Sequence, residues 1–394
     1  MAFKFAKRME RLQSSEVREL LKLTQKPEII SFAGGLPAPE LFPVEELRLV
    51  ADELLKQEGR QLLQYATTEG RPTLRKKVAD RMKAKYYTNV SADEILITTG
   101  SQQCLDFAGK LFLDPGDVVL CESPSYLGAL NAFAAYEPRF VEVPTDNGGL
   151  IPEELDKILA TTERCKFIYV IPDFQNPTGR TWSMERREKF MEVVNKYELP
   201  VLEDNPYGEL RFEGEIFPSL KSMDTKGLVM FLGTFSKIFC PGLRLGWVAA
   251  EPDVLSEFIK IKQSADLHTS NFDQALADVY MDKYDMDVHV EKIKDLYRHR
   301  RDLIIDSLEK FMPSDVEWTH PAGGLFLWLT FPSGVSAAKV FAKCIEKNVA
   351  GVTGDAFFPN GKTDKNMRIN YSNMPDEKIV EGIKRMAEAI KELV

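Results

Sequence analysis

Residues 228–237 read LVMFLGTFSK: five apolar residues, a glycine, two small hydroxyl residues around an aromatic, and a lysine. An apolar run of strand length with no alternation marks a strand covered on both faces. Such strands belong to mostly parallel sheets packed by helices, so this stretch predicts an α/β fold. The same texture recurs on either side. Residues 95–99, 118–121, 167–171, 201–202 and 245–249 are further short apolar runs. Helical patterns alternate with them over residues 101–113, 126–135 and, from an N-cap at Ser183, up to 197. From residue 95 onward the order is strand, turn, helix, repeated.

Beyond about residue 286 the texture changes. Residues 288–311 form one long charged helical pattern. Strand signals at 316–318, 324–331 and 367–371, a helix over 337–348 and a last helix from Asp376 predict a smaller α+β unit. A large α/β domain is therefore expected over 41–286 and a small C-terminal domain over 287–394.

The 394 residues carry 51 Lys+Arg against 60 Asp+Glu, a formal charge of −9. That balance argues against non-specific nucleic-acid or anionic-membrane binding. No apolar run approaches the roughly 18 residues of a spanning helix, and no apolar core follows the early cations of a secretory signal. Five scattered cysteines without a CxxC pair favour reduced thiols and a cytoplasmic setting, and four dispersed histidines give no zinc spacing. The cations at 292, 294, 298, 300 and 301 interleave with Glu291, Asp295 and Asp302, as on a solvated helix face. Gly361-Lys362-Thr363 lacks the glycine that a P-loop needs at 356, where Ala356 stands.

Chemistry concentrates just after the predicted strands. Lys237, held at a buried strand end, can lose its proton and form a Schiff base with an aldehyde. Thr234, Ser236 and Arg244 around it suit a phosphate. Together they suggest pyridoxal 5′-phosphate. Asp204 ends the apolar run PVLED, where an unpaired carboxylate is expensive. An anion there would keep a pyridine nitrogen protonated, which makes the ring an electron sink. Tyr207 and Asn176 can donate to the phenolate oxygen of such a ring. Gly100-Ser101-Gln102-Gln103 opens a helix whose first amides attract an anion. Tyr126 can stack on a ring. All lie near predicted carboxyl ends of strands, where open α/β sheets bind ligands.

The sequence resembles the fold-type I, class I/II pyridoxal-phosphate aminotransferases. The likeness rests on Gly100–Gln103, Ser123–Tyr126, Asn176-Pro177-Thr178-Gly179, Asp204–Tyr207, Thr234–Lys237 with Arg244, and Met367-Arg368-Ile369, in family order. Ser15-Glu16-Val17-Arg18-Glu19-Leu20-Leu21, Phe32-Ala33-Gly34-Gly35-Leu36-Pro37, Gln64-Tyr65-Ala66-Thr67-Thr68-Glu69-Gly70 and the ADLHT of 265–269 resemble its 2-aminoadipate and kynurenine branch.

The resemblance implies a role for each position. Lys237 would be the Schiff-base lysine and Asp204 the pyridinium partner. Asn176 and Tyr207 would bond the phenolate oxygen, and Tyr126 would stack on the ring. Ser101, Gln102, Thr234, Ser236 and Arg244 would hold the phosphate, with Tyr65 reaching it from a neighbouring subunit of a homodimer. Arg368 would clamp the substrate α-carboxylate, and Gly34 and Gly35 would let the substrate lie against backbone. Arg18, on a helical start, would pair with a distal carboxylate. Residues 1–40 would form an arm and part of the small domain. Thr234 stands where serine is common, and Asn205 where a second aspartate is frequent. The implied reaction is ping-pong transamination between an L-amino acid (2-aminoadipate, glutamate, leucine or an aromatic) and a 2-oxo acid such as 2-oxoglutarate. A β-lyase would use the same lysine and aspartate. A regulator's effector domain would follow a DNA-binding domain, for which the sequence before residue 30 has no room.

Overall fold

The structure is a computed structural model and describes residues 3–10, 28–361 and 363–393. Seven strands form the large sheet: β1 (Ile95–Thr99), β2 (Val118–Glu122), β3 (Arg139–Val143), β4 (Cys165–Val170), β5 (Val201–Asp204), β6 (Val229–Thr234) and β7 (Leu245–Ala249). Their order is β1-β7-β6-β5-β4-β2-β3. Six run parallel, and β7 runs antiparallel to both its neighbours.

The continuous apolar runs are explained by the two cores. Phe167 and Tyr169 point to one side of β4, into a core with Phe107 and Phe133. Ile168 and Val170 point to the other, into a core with Trp182, Phe190 and Val194. Both faces are covered, so both alternating positions carry large, mostly apolar side chains. At the edge, β3 reads RFVEV and is half-exposed, and its mixed pattern hid it from the sequence reading. The helix Met184–Tyr197 starts where its Ser183 Oγ accepts the Arg186 amide at 3.3 Å. Such a cap contributes about 1 kcal/mol.

The C-terminal part is built on the 26-residue helix Met286–Phe311, capped by Asp285. It leads to a four-stranded sheet of β8 (Glu317–Trp318), β9 (Phe326–Thr330), β10 (Val352–Thr353) and β11 (Asn366–Asn370). The order is β8-β9-β11-β10, antiparallel throughout. The helices Ala337–Glu346 and Asp376–Lys391 pack with this part. Ile30–Ser31 comes from the other end of the chain and pairs with Val349–Ala350 in parallel. Along the long helix Lys294 pairs with Glu291 at 2.7 Å and Arg298 with Asp295 at 2.8 Å, but Arg300 and Arg301 are buried rather than solvated: Arg300 donates to the Ser372 carbonyl at 2.7 Å and Arg301 to the Pro321 carbonyl at 2.9 Å. Among the described residues no helix is long and apolar enough to cross a membrane, and no cluster has metal-ligand geometry. All five cysteines are free.

Candidate active site

The parallel strands end at one edge of the large sheet, and β7, running the other way, begins there. That reversal is why Arg244 precedes its strand, while Asp204 and Thr234 end theirs and Ser101, Tyr126 and Asn176 follow theirs. A cavity of about 660 Å³ opens at this edge. Twelve of the expected residues line it: Gly35, Ser101, Gln102, Tyr126, Asn176, Asp204, Tyr207, Thr234, Ser236, Lys237, Arg244 and Arg368. Gly34 is buried beside them. Tyr65 stands apart, 78 % exposed, with its ring edge-on to His268 at 5.9 Å. Arg18 lies outside the described residues.

Among the described residues three cations, Lys237, Arg244 and Arg368, and one carboxylate, Asp204, line the cavity. The cavity is therefore electropositive and fitted to an anionic ligand. Burial, with Arg368 and Arg244 adding repulsion, lowers the Lys237 amine to about 8, so a substantial neutral fraction exists near neutral pH. Its Nζ donates to the Gly35 carbonyl at 2.8 Å. Asp204 is 2 % exposed, and burial raises its carboxyl to about 7. One oxygen, Oδ2, accepts the Tyr169 hydroxyl at 2.7 Å, while Oδ1 has no partner among the described residues. An unpartnered buried acceptor of this kind is stabilised by a cationic N–H.

The anion-binding end is assembled from three loops. The helix Ser101–Phe112 points its first turn at the cavity, where amides lack intrahelical acceptors. Gly100 has φ +73°, a conformation that glycine adopts without strain, and a Cβ there would lie 2.4 Å from Arg244 Nη2 and push the end of that side chain aside. Thr234 Oγ1 accepts the Ser236 amide and donates to the Leu245 carbonyl, both at 3.1 Å. Its hydroxyl is spent on the turn that presents Ser236. Asn205, in place of the frequent aspartate, donates to Asp173 at 3.1 Å and accepts the Gly208 amide at 2.9 Å. It fixes the turn between Asp204 and Tyr207.

At the other end, Arg368 on β11 reaches across. Its Nη1 donates to Asn176 Oδ1 at 2.8 Å and its Nη2 to the Ala33 carbonyl at 2.7 Å. Phe326 and Phe357 flank the guanidinium at 4.2 and 5.0 Å. Burial lowers its pKa to about 10, which still leaves it charged at neutral pH. Asn176 Nδ2 in turn lies 3.4 Å from the Tyr207 hydroxyl, to which it donates. The sequence reading missed Tyr169, Phe326 and Phe357, which stand within or beside apolar runs and look like core aromatics.

A buried amine near neutrality, a carboxylate with a free oxygen opposite a ring-sized space, and a helix N-terminus beside an arginine fit pyridoxal phosphate at its aldehyde, ring nitrogen and phosphate. The fold and this donor set define a pyridoxal-phosphate enzyme. The family pattern of class I and II aminotransferases matches residues 30–386, and the chain belongs to that family. The aromatic-amino-acid aminotransferase 1 of Thermococcus litoralis is 45 % identical over 98 % of this chain and 94 % of its own. A solved kynurenine aminotransferase from Pyrococcus horikoshii, in complex with PMP, is 42 % identical with a TM-score of 0.94, covering 98 % of this chain and 97 % of its own. An α-aminoadipate aminotransferase from Thermus thermophilus, complexed with N-(5′-phosphopyridoxyl)-L-leucine, is 40 % identical with a TM-score of 0.92, covering 99 % and 97 %. The protein is a pyridoxal-phosphate-dependent aminotransferase.

Proposed function

We propose that this aminotransferase moves the amino group of 2-aminoadipate, glutamate, leucine or aromatic L-amino acids to a 2-oxo acid, 2-oxoglutarate first among them. The breadth is supported by relatives at 40–45 % identity whose names include aromatic, kynurenine and aminoadipate substrates. The observation that carries the reading is the pairing, in one cavity, of the near-neutral Lys237 amine with the arginine fork of Arg368.

When bound, pyridoxal phosphate supplies an aldehyde for the amino group and a ring that takes up the electron pair left at Cα. The chain's residues do the rest. Arg368 grips the α-carboxylate in a planar fork, which fixes Cα near Lys237. Gly35 leaves room for the substrate against backbone. Lys237 Nζ would serve as the base that takes the Cα proton and as the acid that delivers it to the former aldehyde carbon, two bonds away, a task suited to a pKa near 8. Asp204 offers Oδ1 to the ring nitrogen, Asn176 and Tyr207 hold the ring oxygen, and Tyr126 covers a face. Ser101, Gln102, Ser236 and Arg244 hold the phosphate, with Thr234 setting the turn. Tyr65 completes the phosphate site of a second copy in a homodimer, and Arg18 meets a distal carboxylate. Free cysteines throughout accord with a cytoplasmic enzyme. Residues 41–286 act as the cofactor-binding domain, and residues 287–394, with part of the arm before residue 41, as the small domain that supplies Arg368.

The test is a half-reaction screen: each amino acid is added to the cofactor-loaded enzyme and the visible absorbance is followed. Loss with acidic, branched and aromatic amino acids supports the breadth. No response to any of them overturns it.

A further inference from the structure

Tyr169 lies in the middle of β4, opposite Leu202 of β5. The diagonal neighbour two residues on is Asp204, whose side chain leaves the same face of the sheet. This register brings the phenol to Asp204 Oδ2 at 2.7 Å, with the tyrosine wholly buried and its ring edge-on to Phe133 at 5.8 Å. Among the described residues the Asp204 carboxylate has no other hydrogen bond, and Oδ1 is left bare beside the cavity.

The remaining groups around Asp204 are neutral. Cys104 from the helix Ser101–Phe112, Tyr126 and Tyr207 from the loops, and Tyr169 itself are all pushed up by burial and by the carboxylate. The Tyr169 hydroxyl therefore keeps its proton, and against a carboxylate it acts as donor. The cations Lys237, Arg244 and Arg368 line the same cavity without a hydrogen bond to Asp204.

We infer that Tyr169 is a positioning residue for the cofactor: it binds one oxygen of Asp204, which keeps the group ionised and turns the other oxygen to the ring nitrogen. A carboxylate without this donor is more basic, and the proton shared with the ring moves toward Asp204. The ring then loses pyridinium character and withdraws electrons less well. This inference rests on Asp204 being the ring-nitrogen partner.

The experiment compares Tyr169→Phe, Asp204→Asn and the double variant as holoenzymes with cofactor labelled with ¹⁵N at the ring nitrogen. In Tyr169→Phe the ¹⁵N resonance moves toward the neutral-pyridine position. Cofactor affinity and kcat fall about ten- to a hundredfold, as expected for one hydrogen bond to a charged group. The KM for the amino acid stays within about twofold, and Tyr169→Phe adds nothing in the Asp204→Asn background. A 3,5-difluorotyrosine at position 169, a stronger donor on the same ring, moves the resonance the opposite way and keeps the test open if the phenylalanine variant misfolds. Wild-type resonance and affinity in Tyr169→Phe, with Asp204→Asn impaired, overturn this inference alone. Equal losses in both backgrounds also overturn it, since the tyrosine then acts through packing. If Asp204→Asn itself leaves resonance and affinity unchanged, the placement of Asp204 at the ring nitrogen falls first.

Discussion

Arg368→Lys keeps the charge of the proposed substrate clamp and removes its shape. The arginine is held on four sides, by Asn176 and the Ala33 carbonyl in its plane and by Phe326 and Phe357 on its faces. A carboxylate received by this fork gains two parallel charge-assisted bonds, whereas an ammonium supplies one point contact. The loss of one such bond is about 1.5–3 kcal/mol. At 1.36 kcal/mol per tenfold, kcat/KM for leucine should fall roughly 10- to 150-fold. The assay is single-turnover decay of the visible absorbance, run with leucine and with isoamylamine, which is leucine without its carboxylate. Wild type should process the amine poorly, and Arg368→Lys should process it no worse than wild type. Melting temperature, measured alongside, separates this from loss of fold. An equal loss for leucine and for the amine refutes the argument, because the arginine would then act on the cavity as a whole.

Lys237 gives a pH prediction. Its folded value of about 8 lies below the ordinary 10.5, so between these values the unfolded chain holds a proton that the folded one lacks. Stability therefore rises with pH across that window, and the full penalty of charging a buried amine applies below pH 8. Cofactor-free Lys237→Met should melt higher than its parent at pH 7, with the gain shrinking toward pH 10.5 in scanning fluorimetry; a constant gain contradicts the sign. The same variant should be inactive in transamination. Gly100→Ala puts a methyl against Arg244 at a positive φ and should weaken cofactor binding by tenfold or more, read by fluorescence titration; unchanged affinity removes Arg244 from the phosphate site. Mixing inactive Lys237→Ala with inactive Tyr65→Ala should restore part of the activity through hybrid dimers, and a monomer in light scattering rules that out. Arg18→Ala should lower kcat/KM for 2-aminoadipate about ten- to a hundredfold and leave leucine nearly unchanged; equal losses would remove Arg18 from the substrate site.

What could be read from the sequence follows from what each residue does for its own segment. Asp204 and Lys237 were legible because polar groups at the ends of apolar runs break the pattern of a buried strand, and Asn176 because it opens the Asn-Pro-Thr-Gly of 176–179 in the loop after one. Tyr169 breaks no pattern: it alternates in phase with Phe167, and only the register of β4 against β5 shows that its hydroxyl is used. The direction of β7 was equally hidden, since burial on both faces leaves the same apolar run in either orientation. Phe326 and Phe357 look like core until Arg368 is seen between them. The carbonyls of Ala33 and Gly35 carry no side-chain signal at all, yet they accept from Arg368 and Lys237.

The Ala33 carbonyl also sets the order in which the protein can be completed. The Arg368–Ala33 bond joins residues 335 positions apart, and Ile30 pairs with Val349. At about 5–20 residues per second, a ribosome that has made residue 33 needs roughly 20 to 70 s to reach its partner. The large sheet, complete by Ala249, can collapse well before that. Its amino-terminal arm must wait beside the ribosome for the last strand. The nascent chain thus spends an interval in which the lining up to Arg244 can assemble while Arg368 has yet to be made.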